Sequence, residues 1–391
     1  MPTNDIFSRL RPEALGAPVS GIVDVVNHGR TKPGLIPLWV GEGDMPTPAF
    51  IADAATRSLA AGETFYTWQR GIPELRAALS AYMSRVYGKP LPPEKFFVTG
   101  SGMQSVQIAT RIVAGQGDEV IVPTPAWPNF SAALGIAGAK AVEVPMQFGN
   151  AGWTLDIERL AAAVTERSKA IVINSPSNPA GWTATKAELA AILDLARSKN
   201  LWIIADEIYG RFVYEGERAA SFHDVMDEND RVLFVQTFSK NWCMTGWRVG
   251  WLEAPAALGD MIENLIQYST SGVPVFVQRA AIAALEQGES FIAHQISRAR
   301  KGRDIVCDAL AATGRARFAK PEGAFYLFFG VDGMKNAHEA AIRLVDEANV
   351  GLAPGTAFGG SGEGFLRLCF ARKHEDLTEA SARIAEWLRK G

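Results

Sequence analysis

Short apolar runs alternate with amphipathic stretches of helical length along the first two thirds of the chain. Several of the runs lack the polar–apolar alternation of a half-exposed sheet and are typical of strands buried on both faces. They predict strands at 96–99, 119–123, 141–144, 170–174, 201–206, 232–238 and 247–252. Helices are predicted at 48–62, 72–87, 102–114, 126–137, 155–164 and 185–199. Such strand–helix repetition indicates a mostly parallel sheet covered by helices on both faces.

The pattern changes near residue 275. It predicts a long helical stretch to about 312, a strand at 325–329, a helix at 336–348, a strand at 365–370 and a closing helix at 374–390. This order is typical of a smaller α+β domain. The predicted fold class is therefore α/β, with a large domain at 48–275 and a small domain formed by 1–47 together with 276–391.

Charge and cysteine content exclude several classes of function. The formal net charge is −3, without the basic footprint expected of a protein that binds nucleic acid or a lipid surface. The sequence contains neither a secretory signal nor a run of about 20 apolar residues. Cys243, Cys307 and Cys369 lie far apart, without metal-ligand spacing, and indicate reduced, non-catalytic thiols in a cytoplasmic protein.

The segment 98–105 (VTGSGMQS) joins a predicted strand to a predicted helix through small residues. Free backbone N–H groups at such a helix start can cradle a phosphate. A tight turn that needs glycine explains the segment equally well. A dinucleotide fingerprint, and with it a nicotinamide-dependent dehydrogenase, is a further alternative, but Ser105 replaces its third glycine.

Three more polar positions follow predicted buried strands, where open α/β sheets bind ligands. Asp206 ends one strand and is either a buried, paired carboxylate or a helix cap. Asn178 lies in NSPSNPAG, which alone indicates a turn. Lys240 follows a strand and precedes Arg248 by eight residues. A lysine where the interior begins can lose its proton readily, as an imine-forming amine must.

Together these segments resemble the fold-type I pyridoxal-phosphate enzymes, specifically the aspartate-aminotransferase-like class I/II aminotransferases. The resemblance covers about residues 38–371. Its motifs occur in the family's order: GEGDMPTP, YTWQRGIPELR, VTGSGMQS, GDEVIVPTPAWPNF, SPSNPAG, ADEIY, SKNWCMTGWRVG and FLRLCFA.

The resemblance implies pyridoxal 5'-phosphate as cofactor. Lys240 would carry it as an imine and move the substrate proton, and Asp206 would pair with the pyridine nitrogen. Asn178 and Tyr209 would hydrogen-bond the ring's phenolic oxygen, while Trp127 stacks on the ring. The family's phosphate contacts correspond here to Ser101, Gly102, Met103, Thr237, Ser239 and Arg248.

Substrate and subunit contacts follow from the same resemblance. Arg367 would bind the substrate α-carboxylate, with the backbone of Gly41 against it. Tyr66 would reach the phosphate of the neighbouring subunit, which implies a homodimer with active sites at the interface. The implied reaction is ping-pong transfer of an amino group from an amino acid to a 2-oxo acid.

The motifs depart from the family's dicarboxylate-specific members. No arginine or lysine lies in the segment 268–274, and Met103 stands where a bacterial aspartate branch has lysine. Together with Trp182, Met103 favours a neutral or aromatic amino acid. Aspartate as substrate, and β-elimination by a C–S lyase on the same scaffold, remain alternatives. A cofactor-binding regulator is a third, although the basic DNA-binding module expected of one is missing from the 40 residues before the first motif.

Overall fold

The strands of the protein form one large sheet and three smaller ones. The computed structural model describes residues 6–390. In chain order the strands are β1 (Ile36–Pro37), β2 (Phe96–Thr99), β3 (Glu119–Thr124), β4 (Lys140–Pro145), β5 (Gln147–Gly149), β6 (Gly152–Thr154), β7 (Ser168–Asn174), β8 (Trp202–Asp206), β9 (Val232–Thr237), β10 (Gly250–Glu253), β11 (Ala316–Arg317), β12 (Tyr326–Val331), β13 (Val350–Gly351), β14 (Ala353–Pro354) and β15 (Phe365–Cys369).

Helices precede, separate and follow these strands. They are α1 (Pro12–Leu15), α2 (Gly21–Gly29), α3 (Ala49–Ala60), α4 (Pro73–Tyr87), α5 (Gly102–Val113), α6 (Asn129–Ala137), α7 (Ile157–Ala162), α8 (Lys186–Ser198), α9 (Gly259–Gln267), α10 (Val275–Gln287), α11 (Glu289–Ala311), α12 (Ala337–Arg343) and α13 (His374–Lys390). A π-helical turn, Leu344–Ala348, continues α12.

The large sheet has the order β2-β10-β9-β8-β7-β3-β4. The strands from β9 to β4 pair in parallel, and β10 runs antiparallel to both of its neighbours. The mostly parallel sheet predicted from the sequence is therefore confirmed.

Both faces of the large sheet are buried under helices. Along β8, Ile203 and Ala205 belong to a core shared with Leu189 and Ile192 of α8. The intervening Ile204 belongs to a second core, on the opposite face, to which α5, α6 and α9 contribute. Because successive side chains of a strand point to opposite faces, apolar residues are needed at every position. This explains the continuous apolar runs in the sequence.

Polar residues end three adjacent parallel strands of this sheet. Asn174, Asp206 and Thr237 are the last residues of β7, β8 and β9, and Asn174 pairs in register with Asp206. Parallel strands present their carboxyl ends at one edge, where α/β sheets bind ligands. The fold thus brings together side chains that lie more than sixty residues apart in sequence.

The C-terminal part builds a second, antiparallel sheet of order β11-β12-β15-β14, whose core includes residues of α11 and α13. The N-terminal segment joins it, since β1 pairs in parallel with β13. Helix α10 packs on α3 and α4 beside the large sheet. The division of the chain at residues 47 and 275 into two domains stays a prediction.

Several element boundaries differ from the predicted ones. Strand β10 begins at Gly250 because Arg248 adopts a left-handed backbone conformation, with φ of 52°, after a 3-10 turn. The predicted helix from 275 to 312 is two helices that meet at Gly288. A Cβ at that position would collide with the indole of Trp242. The hairpin β5–β6 and the short helix α9 were not predicted.

Candidate active site

A cavity of about 570 Å³ opens at the carboxyl edge of the large sheet. Strands of both the large and the C-terminal sheets reach it, together with helix α2 and the start of α5. Most residues predicted from the sequence line this one cavity: Gly41, Gly102, Met103, Trp127, Asn178, Asp206, Tyr209, Thr237, Ser239, Lys240, Arg248 and Arg367. Ser101 directly precedes the lining residue Gly102 in the chain but does not itself line the cavity. Tyr66 lies outside the cavity.

Lys240 projects its amine into the cavity from the turn after β9. Nζ donates a hydrogen bond to the backbone oxygen of Gly41, 2.7 Å away. Burial lowers the pKa of Lys240 to about 8, because removing an ammonium from water disfavours its charged form. A substantial fraction of this amine is therefore neutral near physiological pH, as nucleophilic attack on an aldehyde requires.

Asp206 closes the buried end of β8 and is only 1% exposed. Its Oδ1 accepts a hydrogen bond from the backbone N–H of Ile208 at 3.3 Å. Burial raises the pKa of this carboxyl to about 7, although the Ile208 N–H and the charge of Lys240 act in the opposite direction. Within residues 6–390 no cation lies at ion-pair distance from it. The site holds an acid that a bound cation would ionise.

The N-terminus of α5 faces the cavity beside two hydroxyls. Ser101 caps this helix, since its Oγ accepts a hydrogen bond from the backbone N–H of Gln104 at 3.0 Å. Gly102 begins the helix, and the hydroxyl oxygens of Thr237 and Ser239 lie 2.9 Å apart. Helix N-termini and hydroxyls together favour a bound anion such as a phosphate.

Arg248 adds an exposed cation at the same end of the cavity. Its side chain is exposed, and Nη1 donates to the backbone oxygen of Thr245 at 2.6 Å. The left-handed backbone at this residue turns the chain before β10 begins. An exposed guanidinium next to a helix N-terminus is well suited to bind a phosphate dianion.

Arg367 is a buried guanidinium that has no charged partner within the part of the chain that the structure describes. It is 2% exposed, and Nη1 donates to Oδ1 of Asn178 at 2.9 Å while Nη2 donates to the backbone oxygen of Trp39. Both acceptors are neutral, and Nε has no hydrogen-bond partner among residues 6–390. The rings of Tyr326 and Phe358 lie 4.6 and 4.9 Å from Cζ. Because burying an uncompensated charge is costly, the site favours an anionic ligand.

Tyr209 and Tyr326 share a hydrogen bond at the cavity wall. Their hydroxyl oxygens lie 2.7 Å apart, and both side chains are almost fully buried. Burial raises the pKa of each phenol above its usual value, so both stay protonated. The pair therefore offers neutral hydroxyl donors to the cavity.

Trp127 and Met103 supply apolar surface on another wall. Trp127 is partly buried and contacts Phe130 edge to face, with ring centroids 5.5 Å apart. The sulfur of Met103 lies 3.4 Å from Nδ2 of Asn129. Trp182 does not line this cavity and packs on the core around α8, so the substrate preference inferred from it stays a prediction.

Tyr66 is 94% exposed and, with its sequence neighbours Phe65 and Trp68, forms an exposed aromatic surface. Phe65, Trp68 and Tyr268 are also largely exposed on this chain. A soluble monomer rarely exposes several large aromatic rings without a partner, so this surface is typical of an interface.

Sequence similarity to known proteins identifies the chemistry of this site. The family described as Aminotransferase class I and II matches residues 33–384. The chain belongs to this family. It is therefore a transaminase, which moves amino groups from amino acids to 2-oxo acids, and the family implies pyridoxal 5'-phosphate as cofactor.

Individual aminotransferases resemble the chain over nearly all of its length. The aspartate aminotransferase of Thermotoga maritima is 36% identical over 354 residues, which are 90% of this chain and 91% of that protein. The arginine–pyruvate transaminase of Pseudomonas aeruginosa is 35% identical over 350 residues, 89% of this chain and 88% of that protein. The solved aromatic aminotransferase of Pyrococcus horikoshii has a TM-score of 0.87 and 31% identity, covering 94% and 99% of the two chains. Three different substrates thus occur among similarly related proteins.

The donors that line the cavity fit the family's cofactor. Asp206 is an acid without a cation, which suits a pyridinium nitrogen, and Lys240 is an amine for an aldehyde. The N-terminus of α5 with its neighbouring hydroxyls suits a phosphate. The cavity therefore offers groups complementary to the ring nitrogen, the aldehyde and the phosphate of this cofactor.

Some cavity residues were not predicted from the sequence. Asn174 ends β7, donates through Nδ2 to the backbone oxygen of Asp206 at 3.1 Å, and accepts from the Asn178 backbone N–H at 2.8 Å. Its position at the end of an apolar run was a signal that could have identified it. Tyr326 lies in a uniformly apolar strand, and α2 lies outside every motif of the sequence. No local pattern therefore marks either of them as part of the cavity.

The described part of the chain has no helix that is long and apolar enough to cross a bilayer. Cys243, Cys307 and Cys369 are free thiols, as expected. Burial raises the pKa of Cys243 to about 11 and that of Cys307 to about 12. These thiols remain protonated and are poor nucleophiles.

Proposed function

We propose that this transaminase holds pyridoxal 5'-phosphate in the cavity through Lys240, with Asp206 facing the pyridine nitrogen. The observation that carries this proposal is that one cavity contains three complementary groups. They are the amine of Lys240, whose pKa is lowered, the buried carboxyl of Asp206 and the buried guanidinium of Arg367; among the described residues, neither of the last two has a partner of opposite charge within ion-pair distance. When bound, the cofactor supplies an electron sink for the negative charge left on the substrate Cα.

The phosphate would lie at the N-terminus of α5. We assign it to the backbone of Ser101, Gly102 and Met103, the hydroxyls of Thr237 and Ser239, and the guanidinium of Arg248. The ring would stack on Trp127. Its phenolic oxygen would accept from Tyr209 and from Nδ2 of Asn178, the donor that this amide can offer while Oδ1 binds Arg367.

Arg367 would bind the substrate α-carboxylate, which supplies the anion that this buried guanidinium lacks. The guanidinium fork and the backbone of Gly41 would orient the substrate so that its Cα–H bond faces Lys240. Nζ of Lys240 would then take the proton from Cα and return it on the cofactor side. Since Nζ already contacts Gly41 O, both groups lie on one side of the cavity.

We propose a neutral or aromatic L-amino acid as the preferred donor. Met103 lines the cavity where a lysine would favour aspartate, and Ile22, Val23 and Val26 of α2 add apolar surface. Arg30 also lines the cavity, at the C-terminal end of α2, and is the side chain that could favour a dicarboxylate instead. Aspartate therefore stays the alternative to be tested.

The functional unit is proposed to be a cytoplasmic homodimer. The exposed aromatic surface around Tyr66 would bury itself against a second copy, and Tyr66 would reach the phosphate bound by that copy. The free, protonated thiols are typical of a reducing compartment.

A spectroscopic half-reaction tests the assignment. The purified protein, loaded with pyridoxal 5'-phosphate, is titrated with single amino acids in the absence of any 2-oxo acid while its visible absorbance is recorded. Donors are expected to bleach the visible band and to release one equivalent of their 2-oxo acid. Neutral or aromatic donors should do so at lower concentration than aspartate.

Two controls separate the possible outcomes. The Lys240→Ala variant should still hold the cofactor after dialysis but should give no 2-oxo acid. The Lys301→Ala variant, substituted on the exposed side of α11, should behave as the native protein. An active Lys240→Ala variant would contradict the proposal. A β-substituted alanine that yields pyruvate and ammonia catalytically without an acceptor would instead favour the C–S lyase.

A further inference from the structure

Tyr326 contacts three groups of the candidate active site at once, although no motif of the sequence includes it. Its hydroxyl lies 2.7 Å from that of Tyr209, and its ring lies 4.6 Å from Cζ of Arg367. A Cβ at Gly41 would collide with its hydroxyl oxygen. Tyr326 is fully buried at the start of β12, so these contacts hold it in one place.

Backbone contacts fix this meeting of two distant chain segments. Val213 pairs with Gly323 in an antiparallel bridge, and the N–H of Ala324 donates to the backbone oxygen of Phe212 at 2.9 Å. The Tyr214 hydroxyl donates to the backbone oxygen of Ala324 at 2.6 Å. These contacts join the segment after β8 to the segment before β12. Their register brings Tyr209 and Tyr326 next to each other.

The direction of the hydrogen bond between the two tyrosines depends on the cofactor. A hydroxyl has one proton to donate. If Tyr209 donates its proton to the ring's phenolic oxygen, it can only accept from Tyr326. A hydroxyl that accepts a hydrogen bond becomes a stronger donor, because hydrogen bonds in a chain polarise one another.

We propose that Tyr326 is a positioning residue that strengthens Tyr209 as a donor to the cofactor through its hydroxyl and orients Arg367 for the substrate α-carboxylate through its ring. This inference rests on the proposed function. The two roles belong to different atoms of one side chain, so substitutions can separate them. The hydroxyl role concerns the cofactor alone, and the ring role concerns the substrate.

The hydroxyl role predicts a spectroscopic change. A hydrogen bond to the phenolic oxygen favours the deprotonated form of the bound chromophore, so a weaker donor should raise the pH at which its absorbance changes. Tyr326→Phe is expected to move this midpoint upward by about 0.5. In a Tyr209→Phe background the same substitution should leave the midpoint unchanged, because Tyr326 acts through Tyr209.

The ring role predicts a change in substrate binding. Tyr326→Leu removes the ring beside Arg367 and should raise the dissociation constant of an amino acid, measured by absorbance titration, about tenfold. Tyr326→Phe keeps the ring and should leave this constant within about twofold of the native value. Equal weakening by both variants would contradict the ring role.

Tyr214→Phe is the matched control. It removes a buried tyrosine hydroxyl from the same junction without touching Tyr209, and should leave the absorbance midpoint unchanged. If Tyr326→Phe leaves the midpoint unchanged, or moves it equally in the Tyr209→Phe background, the hydroxyl role is overturned. A native protein that binds no cofactor would overturn the proposed function itself, and this inference with it.

Discussion

Nη1 of Arg367 donates a hydrogen bond to Oδ1 of Asn178 at 2.9 Å, joining β15 of the C-terminal sheet to the loop after β7. Two residues 189 positions apart in sequence are thereby held side by side and buried. In the proposed roles, Arg367 binds the substrate carboxylate and Asn178 binds the cofactor ring. Their contact would therefore fix the distance between substrate and cofactor.

Arg367→Lys is expected to lower kcat/KM by about 10² for both the amino acid and the 2-oxo acid, chiefly through KM. Lysine keeps the charge but loses the planar fork that can bind a carboxylate with two hydrogen bonds while still contacting Asn178. Steady-state kinetics of both half-reactions measure the effect. Arg383→Lys, on α13 and distant from the cavity, is the control and should leave both constants unchanged. A change confined to one half-reaction would contradict a shared carboxylate site.

The ionisation of Asp206 is expected to destabilise the cofactor-free protein as the pH rises through the range 4 to 7. Burial raises the pKa of Asp206 in the folded protein to about 7, from an ordinary aspartate value of about 3.9 in the unfolded chain. A raised acid pKa stabilises the fold below the unfolded value, and this contribution is lost as pH rises through the folded value. Its full size is on the order of 4 kcal/mol.

Denaturant unfolding at a series of pH values measures this loss. Asp206→Asn has no proton to release and should flatten the pH dependence between 4 and 7, whereas Asp308→Asn, exposed on α11, should not. Saturating cofactor should also flatten it for the native protein, since a pyridinium would pair with the ionised carboxylate. An unchanged slope in Asp206→Asn would mean that this carboxyl is not the titrating group.

The sequence predicted the central sheet well because its physical signal is strong. Strand β8 is apolar up to its last residue, and the polar residues that end β7, β8 and β9 are the ones that line the cavity. The other site residues, including Lys240 and Arg367, were predicted from the resemblance to the aminotransferase family. Roles inferred in this way remain proposals, although the fold does bring these side chains into one cavity.

Features that depend on contacts between distant segments could not be predicted. At the break between α10 and α11 the indole of Trp242 leaves no room for a side chain at Gly288, and this contact between distant residues is not visible in the local sequence. The contribution of α2 to the cavity and the pairing of Tyr209 with Tyr326 are likewise tertiary. Trp182 was used with Met103 to favour a neutral or aromatic substrate, yet it packs on the core around α8.

Met103→Lys is expected to shift the donor preference toward aspartate. An ammonium introduced at the start of α5 would face the apolar part of the cavity and could pair with a side-chain carboxylate. The ratio of kcat/KM for aspartate to that for phenylalanine should rise about tenfold or more. Met103→Leu is the isosteric control and should leave the ratio unchanged. If the native protein already prefers aspartate and Met103→Lys has no effect, Arg30 becomes the residue to substitute.

Subunit mixing is expected to show that the active site is shared between two chains. Tyr66→Ala should impair the site of the opposite subunit, whereas Lys240→Ala inactivates the site of its own subunit. A mixed dimer of these variants contains one site with both substitutions and one native site. After subunit exchange, random pairing should therefore restore about a quarter of native activity. Mixing Lys240→Ala with Asp206→Asn is the matched control, because both substitutions affect the site of their own chain and no native site can form. Equal activity in the two mixtures would mean that Tyr66 acts in the site of its own chain. A Tyr66→Ala variant with full activity before mixing would mean that Tyr66 serves neither site and that the exposed aromatic surface has another purpose.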